Sequence, residues 1–318
     1  MATDKQPLRI AVVIPTRRRE ERLAFALEAL AEQSLDAESY EVVVVRESGG
    51  PGPLASAPAR LRLRQLEAPP GSGPATKRNL GWRATAAPLV AFTDDDCRAD
   101  PGWLEALLAT GGEDVFVQGR TEPEPDEAHL LLGFARSQRI DEPSAWFETC
   151  NIAYPRTVLD RLGGFDERFG LGGEDTDLGL RALEAGVGRS FERTALVWHA
   201  VLPRPLPAAL RDVVERDSLP LVIARHPRQR EAVYARYFLN REHALLLAAV
   251  AGLLVFRRRP GLAALATLPY LGRYLDTSRM GPKALARFAV HLPGRVAVDA
   301  TEVAATVRGA LRHRVFLL

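Results

Sequence analysis

Three consecutive aspartates, Asp94, Asp95 and Asp96, follow the apolar segment at residues 89–93. Adjacent carboxylates repel one another unless a cation lies among them, and carboxylate oxygens are ligands that Mn²⁺ and Mg²⁺ prefer. The alternation of a strand would place Asp94 and Asp96 on one side of the chain and Asp95 on the other. The triplet therefore predicts either a divalent-metal site at the end of a buried strand or a solvated acidic loop.

A second acidic cluster, Glu174, Asp175 and Asp177, follows the glycine pair Gly172-Gly173. In the first turn of a helix such residues are favoured by the helix dipole, and this alone could account for them. A general base pointing into a cleft is the functional alternative. Because capping needs only one acidic residue, the cluster favours a catalytic role.

Basic and imidazole side chains could complete such a site. Lys77 and Arg78 are suited to phosphate, and Gly81 permits the close approach of another backbone. His199 stands at the end of a predicted strand and could add an imidazole ligand to an oxygen-rich metal site. Taken alone, the segment with Lys77, Arg78 and Gly81 is equally compatible with a helix that has a polar face. His199 taken alone is equally compatible with a packed histidine.

The elements that must position these residues alternate between strand and helix. The apolar run at residues 10–14, ended by Pro15, predicts a strand buried on both faces, and Leu23, Leu27 and Leu30 mark one face of a helix. Alternation of this kind predicts an α/β fold with a mostly parallel sheet between helices. Further strands are predicted at residues 40–45, 61–66, 89–93, 115–120 and 191–199. Helices are predicted at residues 77–85, after an N-cap at Asp100, and at residues 174–186, and a loop is predicted at residues 122–127.

Composition limits the class of protein. The 318 residues are 47% hydrophobic and 26% charged, as in ordinary globular proteins, which excludes a disordered or collagen-like chain. Cys97 and Cys150 are the only cysteines, so we expect neither a disulfide framework nor a thiolate zinc site, and a reducing compartment is predicted. Residues 1–8 are short and polar and do not resemble a secretory signal.

The charge is divided between two parts of the chain. Residues 1–203 hold 23 Lys and Arg against 32 Asp and Glu, a net charge of −9, whereas residues 204–318 hold 19 against 8, a net charge of +11. We therefore predict two domains with a boundary after residue 203, the second one helical. An anionic membrane surface and a nucleic acid are both candidate partners for the basic domain.

Three features of the basic domain favour the membrane. An uncharged run at residues 244–256 is closed by the arginine triplet Arg257–Arg259, a second apolar run covers residues 261–271, and residues 296–311 predict an amphipathic helix. Neither run reaches the ~20 residues of a spanning helix. Nucleic-acid binding is disfavoured because the arginines lie beside aliphatic residues rather than stacking aromatics. The alternative is that both runs pack within the protein or against a partner copy.

Five segments, in this order, resemble motifs of the family-2 glycosyltransferases. They are VVIPTRRREERL at residues 12–23, KRNLG at 77–81, FTDDD at 92–96, GGFDERFG at 163–170 and GGEDTDLGLR at 172–181. The resemblance covers residues 8–203 and implies a GT-A fold with a nucleotide-sugar half at about 1–100 and an acceptor half at about 101–203. It also implies a nucleotide-diphospho-sugar donor, inversion at the anomeric carbon, and Mn²⁺ or Mg²⁺.

The resemblance also implies roles for individual residues. Asp175 matches the base that deprotonates the acceptor hydroxyl. Asp94, Asp96 and His199 match metal-binding positions, with Asp96 favoured for direct coordination. The donor-binding positions are Pro15, Thr16, Arg19, Glu47, Lys77, Arg78, Asp94 and Asp95. The chain departs from the family pattern at Arg46-Glu47-Ser48-Gly49, because family members usually have an acidic or amide pair followed by Gly-Ser here. The resemblance therefore does not identify the nucleotide, and Glu47 is the candidate for base recognition.

The region after residue 203 is similar to extensions of bacterial members that act on cell-envelope glycans. This similarity implies a glycan or lipid-linked acceptor and a cytoplasmic, peripheral position on the inner face of the cell membrane. One alternative is a non-catalytic GT-A module that binds a nucleotide sugar or serves as a scaffold. Another is a nucleotidyltransferase, which would carry a glycine-rich, lysine-containing loop where this chain has Pro15-Thr16-Arg17.

Overall fold

The apolar run near the start of the chain forms strand β1 (Ile10–Pro15), and its residues from Ile10 to Ile14 are fully buried. Alternate side chains of β1 enter different hydrophobic clusters, Val12 on one face and Val13 on the other. Burial on both faces explains why the strand reads as a continuous apolar run rather than an alternating one.

The computed structural model describes residues 7–17, 19–49, 58–215, 218–275 and 282–318, and the chain divides into two compact units, Met1–Pro203 and Arg204–Leu318. The other strands of the first unit are β2 (Tyr40–Glu47), β3 (Leu63–Ala68), β4 (Leu89–Phe92), β5 (Cys97–Ala99), β6 (Val115–Pro123), β7 (Ile152–Pro155) and β8 (Gly188–His199). Its α-helices are α1 (Glu20–Ala31), α2 (Pro74–Arg83), α3 (Trp103–Thr110), α4 (Arg156–Leu162) and α5 (Glu174–Glu184), with short 3-10 helices at Ala37–Ser39 and Pro125–Leu130.

The eight strands form one mixed sheet in the order β3-β2-β1-β4-β7-β6-β8-β5. The half that contains β3, β2, β1 and β4 is parallel throughout, as the alternation of strands and helices predicts. Strand β7 pairs antiparallel with both β4 and β6, and β5 pairs antiparallel with β8. The predicted α/β class is confirmed, and the antiparallel pairings are confined to the second half of the sheet.

Helices cover both faces of this sheet. One hydrophobic cluster joins β1 and β2 to α1 and α3, through residues such as Leu27 and Leu104. The second cluster joins the opposite face to α2, α4 and α5, through Trp82, Leu159 and Leu178. The sheet is therefore the middle layer of three, and the loops at the carboxyl ends of β1 and β4 are held from both sides.

Several boundaries differ from the sequence prediction. The sequence did not predict β5, β7 or α4, because each has seven residues or fewer and depends on pairing or packing with distant segments. Strand β6 continues to Pro123 and a 3-10 helix follows, so the predicted loop at 122–127 is wrong. Strand β3 begins two residues later than predicted, and α2 begins at Pro74 and ends at Arg83.

The predicted N-cap of α3 is also wrong. The carboxylate of Asp100 accepts a hydrogen bond from the Gly102 N–H at 3.0 Å, and the helix begins only at Trp103. Asp100, Pro101 and Gly102 thus form a turn before the helix. An Asp-Pro pair suits a turn as well as it suits a helix start, and the glycine after it decides the outcome here.

The second unit is helical, with α6 (Leu206–Glu215), α7 (Leu219–Arg225), α8 (Arg241–Val255), α9 (Pro260–Gly272), α10 (Pro282–His313) and a 3-10 helix at Pro227–Ala232. A small core contains Leu246, Ala249 and Tyr270, with Val296 and Val303 of α10 packed against it. Within the described ranges of the chain, no helix has both the length and the apolar composition that crossing a bilayer requires.

We predict that Gly81→Ala destabilises the first unit by about 1–3 kcal/mol, because inserting atoms into a packed core strains it. Helix α2 lies flat on β1 and β2 at this point, and a methyl group on Gly81 would overlap the Val13 side chain. Chemical denaturation measures the effect. Gly170→Ala is the matched control, since a methyl group at Gly170 meets no atom within 4 Å; equal midpoints for the two variants would contradict the packing argument.

Candidate active site

The aspartate triplet forms a turn between β4 and β5. The Cys97 N–H donates to the Asp94 carbonyl oxygen at 3.2 Å, which closes the turn around Asp95 and Asp96. The prediction that strand alternation would place Asp94 with Asp96, opposite Asp95, is therefore wrong. In the structure Asp95 and Asp96 share the Arg19 guanidinium, at 3.1 and 2.6 Å, while Asp94 faces Arg78.

Asp95 ties the triplet to the end of β1. Its carboxylate accepts a hydrogen bond from the Thr16 hydroxyl at 2.7 Å, and it is almost completely buried. Burial raises the pKa of Asp95 to about 6, although the Arg19 charge opposes this shift. Lys77 holds the same loop from the other side, because its ammonium group donates to the Thr16 carbonyl oxygen at 3.0 Å. Burial lowers the pKa of Lys77.

Strand pairing brings His199 to the triplet. In the antiparallel register of β5 and β8, His199 stands opposite Cys97, the residue after Asp96. The His199 Nε2 atom lies 3.8 Å from Asp96 Oδ1, while Asp96 Oδ2 accepts the bond from Arg19. The Nδ1 atom lies 2.8 Å from the Ala200 carbonyl oxygen, which can only accept a hydrogen bond, so in the neutral ring Nδ1 carries the proton and the lone pair is on Nε2.

These atoms fit a divalent metal. Asp96, Cys97 and His199 offer ligand atoms that all lie within 4.8 Å of one another, and all three residues are buried. A carboxylate oxygen and an imidazole nitrogen with a free lone pair suit Mn²⁺, and the gap of 3.8 Å between them is too long for a hydrogen bond. Burial raises the pKa of the Cys97 thiol well above its ordinary value, which opposes the thiolate form that binds metals.

Arg78 connects the triplet to the second acidic cluster. Its guanidinium donates to Asp94 at 2.9 Å and to Glu174 at 2.8 Å, and its side chain is only 5% exposed. The Glu174 carboxylate is equally buried, and its Oε2 atom has no hydrogen-bond partner among the residues that the structure describes. The two acidic motifs that the sequence separates by some 80 residues are therefore parts of one site.

The glycine pair before Glu174 determines how the second cluster enters its helix. Gly172 and Gly173 have φ angles of +95° and +93°, which L side chains rarely adopt, and α5 begins at the next residue. Asp175 is half-buried, and its Oδ1 atom accepts the Thr176 N–H at 2.8 Å. Burial and the neighbouring Glu174 charge raise the pKa of Asp175 above the usual aspartate range, against the opposing charge of Arg78.

The departure from the family pattern lies at the end of β2. Arg46 turns towards β3, where it pairs with Glu67 at 3.0 Å. Glu47 accepts a hydrogen bond from the Gly71 N–H and lies 3.5 Å from the Arg17 guanidinium. Glu47 thus lies beside the loop that follows β1, and its role in base recognition stays a prediction. Pro15, the last residue of β1, leads into the same loop.

Arg136 is a site residue that the sequence analysis missed. Its backbone pairs with Leu202 through hydrogen bonds of 2.9 and 2.8 Å, and the Ser137 hydroxyl donates to the His199 carbonyl oxygen at 3.1 Å. Among the residues that the structure describes, the Arg136 guanidinium has no hydrogen bond or ion pair. Burial lowers its pKa, and the charges of Asp96 and Asp94 act on it in the opposite direction. Arg136 lies outside every recognisable motif, so no sequence signal pointed to it.

Residues 11–162 match the family model described as Glycosyl transferase family 2. This segment is a glycosyltransferase family 2 domain. The match spans β1, the aspartate triplet and α4, and it ends before the Glu174–Asp175 pair.

Two related glycosyltransferases illustrate the extent of the likeness. The chain is 31% identical to the validoxylamine A glucosyltransferase of Streptomyces hygroscopicus subsp. limoneus, over 60% of this chain and 51% of that protein. It is 30% identical to the pre-mycofactocin glycosyltransferase of Mycobacterium tuberculosis, over 58% of this chain and 43% of that protein. The chain thus spans about half the length of the relatives it matches.

Solved structures confirm the predicted GT-A-type fold. The mannosyltransferase PcManGT from Pyrobaculum calidifontis, in complex with GDP-Man and Mn²⁺, aligns with a TM-score of 0.59 at 20% identity, over 96% of this chain and 88% of that one. TarS 1–349 from S. aureus, in complex with UDP-GlcNAc, aligns with a TM-score of 0.53 at 14% identity, over 97% and 93%. At these identities the likeness concerns the fold.

We predict that Arg78→Met destabilises the first unit by about 3–5 kcal/mol, because it leaves a buried carboxylate at Glu174 without its counter-ion. Adding Glu174→Gln should restore part of the loss, since the double variant buries no uncompensated charge there. Urea denaturation of the two single variants and the double variant measures the coupling. Arg161→Met, which breaks an exposed ion pair with Asp114, should cost at most about 1 kcal/mol. Additive losses from Arg78→Met and Glu174→Gln would contradict the buried bridge.

Proposed function

We propose that this family-2 protein transfers a sugar from a nucleotide-diphospho-sugar to an acceptor hydroxyl, with inversion at the anomeric carbon. The observation that carries the proposal is the Arg78 bridge, which joins the aspartate triplet and the Glu174–Asp175 pair in one site. A site of this kind holds metal-binding groups beside a candidate base, which is the combination that such a transfer requires. The GDP-Man and UDP-GlcNAc complexes of proteins with the same fold support a nucleotide sugar as the class of donor.

Asp175 is the general base in this proposal. It is half-buried, so it can meet an acceptor hydroxyl, and its Oδ1 atom is held by the Thr176 N–H. In a single displacement the acceptor oxygen forms a bond to the anomeric carbon while the bond to the departing diphosphate breaks. The hydroxyl proton goes to Asp175. A pKa raised by burial and by Glu174 makes Asp175 a stronger base than an exposed aspartate. The charges of Arg78 and Glu148 also act on the pKa of Asp175, the first lowering it and the second raising it.

Asp96 and His199 would hold Mn²⁺ or Mg²⁺, with Asp94 beside them at the same turn. When bound, the ion supplies positive charge that offsets the negative charge developing on the leaving diphosphate. The chain's own residues prepare this position. Arg19 occupies Asp96 Oδ2 and leaves Oδ1 towards His199, while the Ala200 carbonyl oxygen orients the ring.

The remaining residues position the donor. Lys77 and Asp95 fix the loop after β1 by holding both the carbonyl oxygen and the hydroxyl of Thr16. Arg136 presents a half-buried guanidinium without a partner in the described part of the chain, and a phosphate oxygen of a bound substrate would satisfy it. Glu47 remains the candidate for contact with the nucleotide base.

The acceptor belongs to the same proposal. We assign a glycan or lipid-linked acceptor of the cell envelope, and a peripheral position on the cytoplasmic face of a membrane for residues 204–318. The net charge of +11 in this part of the chain supports attraction to anionic lipid. A membrane position would bring the enzyme to acceptors that do not leave the bilayer.

Asp96→Asn tests the metal assignment. We predict that Mn²⁺ with a nucleoside diphosphate raises the melting temperature of the unmodified protein, and that this rise is largely lost in the variant, because a ligand that binds only the folded state stabilises it. The substitution keeps the side-chain shape and removes one negative charge. Asp114→Asn, at an exposed position, is the control and should keep the full rise. The same metal-dependent rise in Asp96→Asn would refute the assignment.

Asp175→Asn tests the base. We predict a loss in kcat of about 10²–10⁴-fold with little change in nucleotide affinity, because the base acts on the acceptor in the transition state. The measurement uses the donor that the unmodified protein turns over best in a panel of nucleotide sugars. Asp177→Asn is the comparison, since Asp177 pairs with Arg181 at 2.7 Å in the same helix. Weaker nucleotide binding with an unchanged kcat would make Asp175 a binding residue, and nucleotide-sugar binding without turnover by the unmodified protein would favour a non-catalytic module.

Arg136→Gln tests the phosphate contact. Losing a charge-assisted hydrogen bond should weaken binding of a nucleoside diphosphate with Mg²⁺ by about 10–100-fold, while the melting temperature stays the same or rises, since an unpaired buried charge is removed. If the phosphate belongs to the acceptor, diphosphate binding is unchanged and the acceptor KM rises instead. Arg139→Gln, on the same segment but 59% exposed, is the control. No change in either constant would exclude Arg136 from the site.

A further inference from the structure

Helices α8 and α9 form a hairpin whose far end is apolar and exposed. We call residues 250–268 the hairpin tip. Its side chains include Leu254 at 65% exposure, Val255 at 74%, Leu265 at 59% and Leu268 at 56%, and Val250, Leu253, Phe256 and Leu262 are also exposed. A cluster of eight large apolar side chains on one short hairpin is unusual for a surface that meets only water.

The base of the hairpin is anchored to α10, and the apolar side chains there pack in the core of the second unit. Leu246 and Tyr270 lie in the core of the second unit, and His243 Nε2 lies 3.0 Å from a carboxylate oxygen of Glu302 in α10. The Tyr270 hydroxyl donates to Asp299, also in α10, at 2.7 Å. Folding of the second unit therefore uses the base of the hairpin and leaves the tip without a partner among the described residues.

The two helices pack tightly against each other without help from the tip's exposed side chains. Gly252 of α8 lies so close to Ala266 of α9 that a methyl group at Gly252 would overlap the Ala266 side chain. The hairpin is therefore a formed structure, and its exposed residues are not needed to hold it together.

The charge of the hairpin tip is of one sign. Its turn consists of Phe256 and the exposed triplet Arg257, Arg258 and Arg259, and residues 243–275 contain no Asp or Glu. Apolar side chains flanked by arginine and free of acidic residues are complementary to a surface that is apolar inside and anionic at its face.

We infer that the hairpin tip enters the head-group region of an anionic membrane, with Leu254, Val255 and Leu265 in the acyl boundary and the arginine triplet on lipid phosphates. The inference refines the membrane position in the proposed function, and it names the element responsible. Helices of 15 and 13 residues are too short to span a bilayer core of ~30 Å, which needs about 20 residues, so the hairpin lies at the interface.

The structure separates this element from the amphipathic segment at residues 296–311. Val296 and Val303 of that segment are partly buried and pack against the core of the second unit, unlike the exposed side chains of the tip. A second copy of the chain is a poorer occupant of the tip. A two-fold contact there would bring two arginine triplets together, with no acidic residue in the hairpin tip to pair with them.

Flotation of the full-length protein with vesicles tests the inference. The vesicles contain phosphatidylcholine alone or phosphatidylcholine mixed with phosphatidylglycerol. We expect flotation with the anionic vesicles, and replacing Arg257, Arg258 and Arg259 together by serine should lower the partition coefficient roughly 100-fold. The matched control replaces three other exposed arginines of the second unit, Arg228, Arg312 and Arg314, by serine, which removes the same charge.

A second pair of variants tests the apolar contribution. Leu254→Ser with Val255→Ser should abolish stable flotation, whereas Leu285→Ser with Leu311→Ser, at exposed positions of α10, should leave it intact. All four residues are exposed, so the melting temperature should not change. Equal losses of flotation in the tip and control variants would overturn the inference, and so would a full-length protein that floats with neither kind of vesicle. A dimer that only the tip variants dissociate would overturn it as well. Nucleotide binding needs no vesicle, so failure here leaves the proposed transfer reaction standing.

Discussion

The buried guanidinium of Arg78 is the contact on which the site depends. Two carboxylates, Asp94 and Glu174, come from segments about 80 residues apart in sequence, and each lies within 2.9 Å of this one cation. Without a cation between them the half-buried Asp94 and the buried Glu174 would repel each other, which would drive the aspartate turn and the start of α5 apart. The bridge also opposes the rise in the pKa of Asp175 that burial and Glu174 cause. One residue thus determines both the geometry and the electrostatics of the proposed site.

Charge in the aspartate triplet is arranged on the same principle, with each carboxylate held by an arginine. Arg19 neutralises Asp95 and Asp96 together, and Lys77 fixes the loop that carries Thr16. Two basic groups beside the triplet have no such partner. Nε2 of His199 faces Asp96 across a gap too long for a hydrogen bond, and Arg136 has no partner among the described residues. The charges of the aspartate turn act on Arg136, and the proposed function needs a metal and a phosphate to bind at this turn.

The parts of this arrangement that depend on local sequence could be predicted, and those that depend on distant contacts could not. The apolar run of β1, the leucine spacing of α1 and the glycine that ends α5 are local signals, and the structure confirms these elements. Strand β5 has three residues, and its register with β8 places His199 beside Asp96, which no local pattern encodes. The turn at Asp94–Cys97 overrode the strand alternation expected of the triplet. Arg136 reaches the site only through its pairing with Leu202, so its sequence neighbourhood gives no indication of its position.

Anomalous diffraction from crystals soaked with Mn²⁺ and a nucleoside diphosphate tests the central claim most directly, because it locates the ion and the phosphates in one experiment. The account predicts a manganese peak at direct coordination distance from Asp96 Oδ1 and His199 Nε2, with the diphosphate on the ion and the Arg136 guanidinium on a phosphate oxygen. The Arg78 bridge to Asp94 and Glu174 should persist. A bound nucleotide with manganese elsewhere in the chain, or with Asp96 and His199 still facing each other across an unfilled gap, would contradict the account.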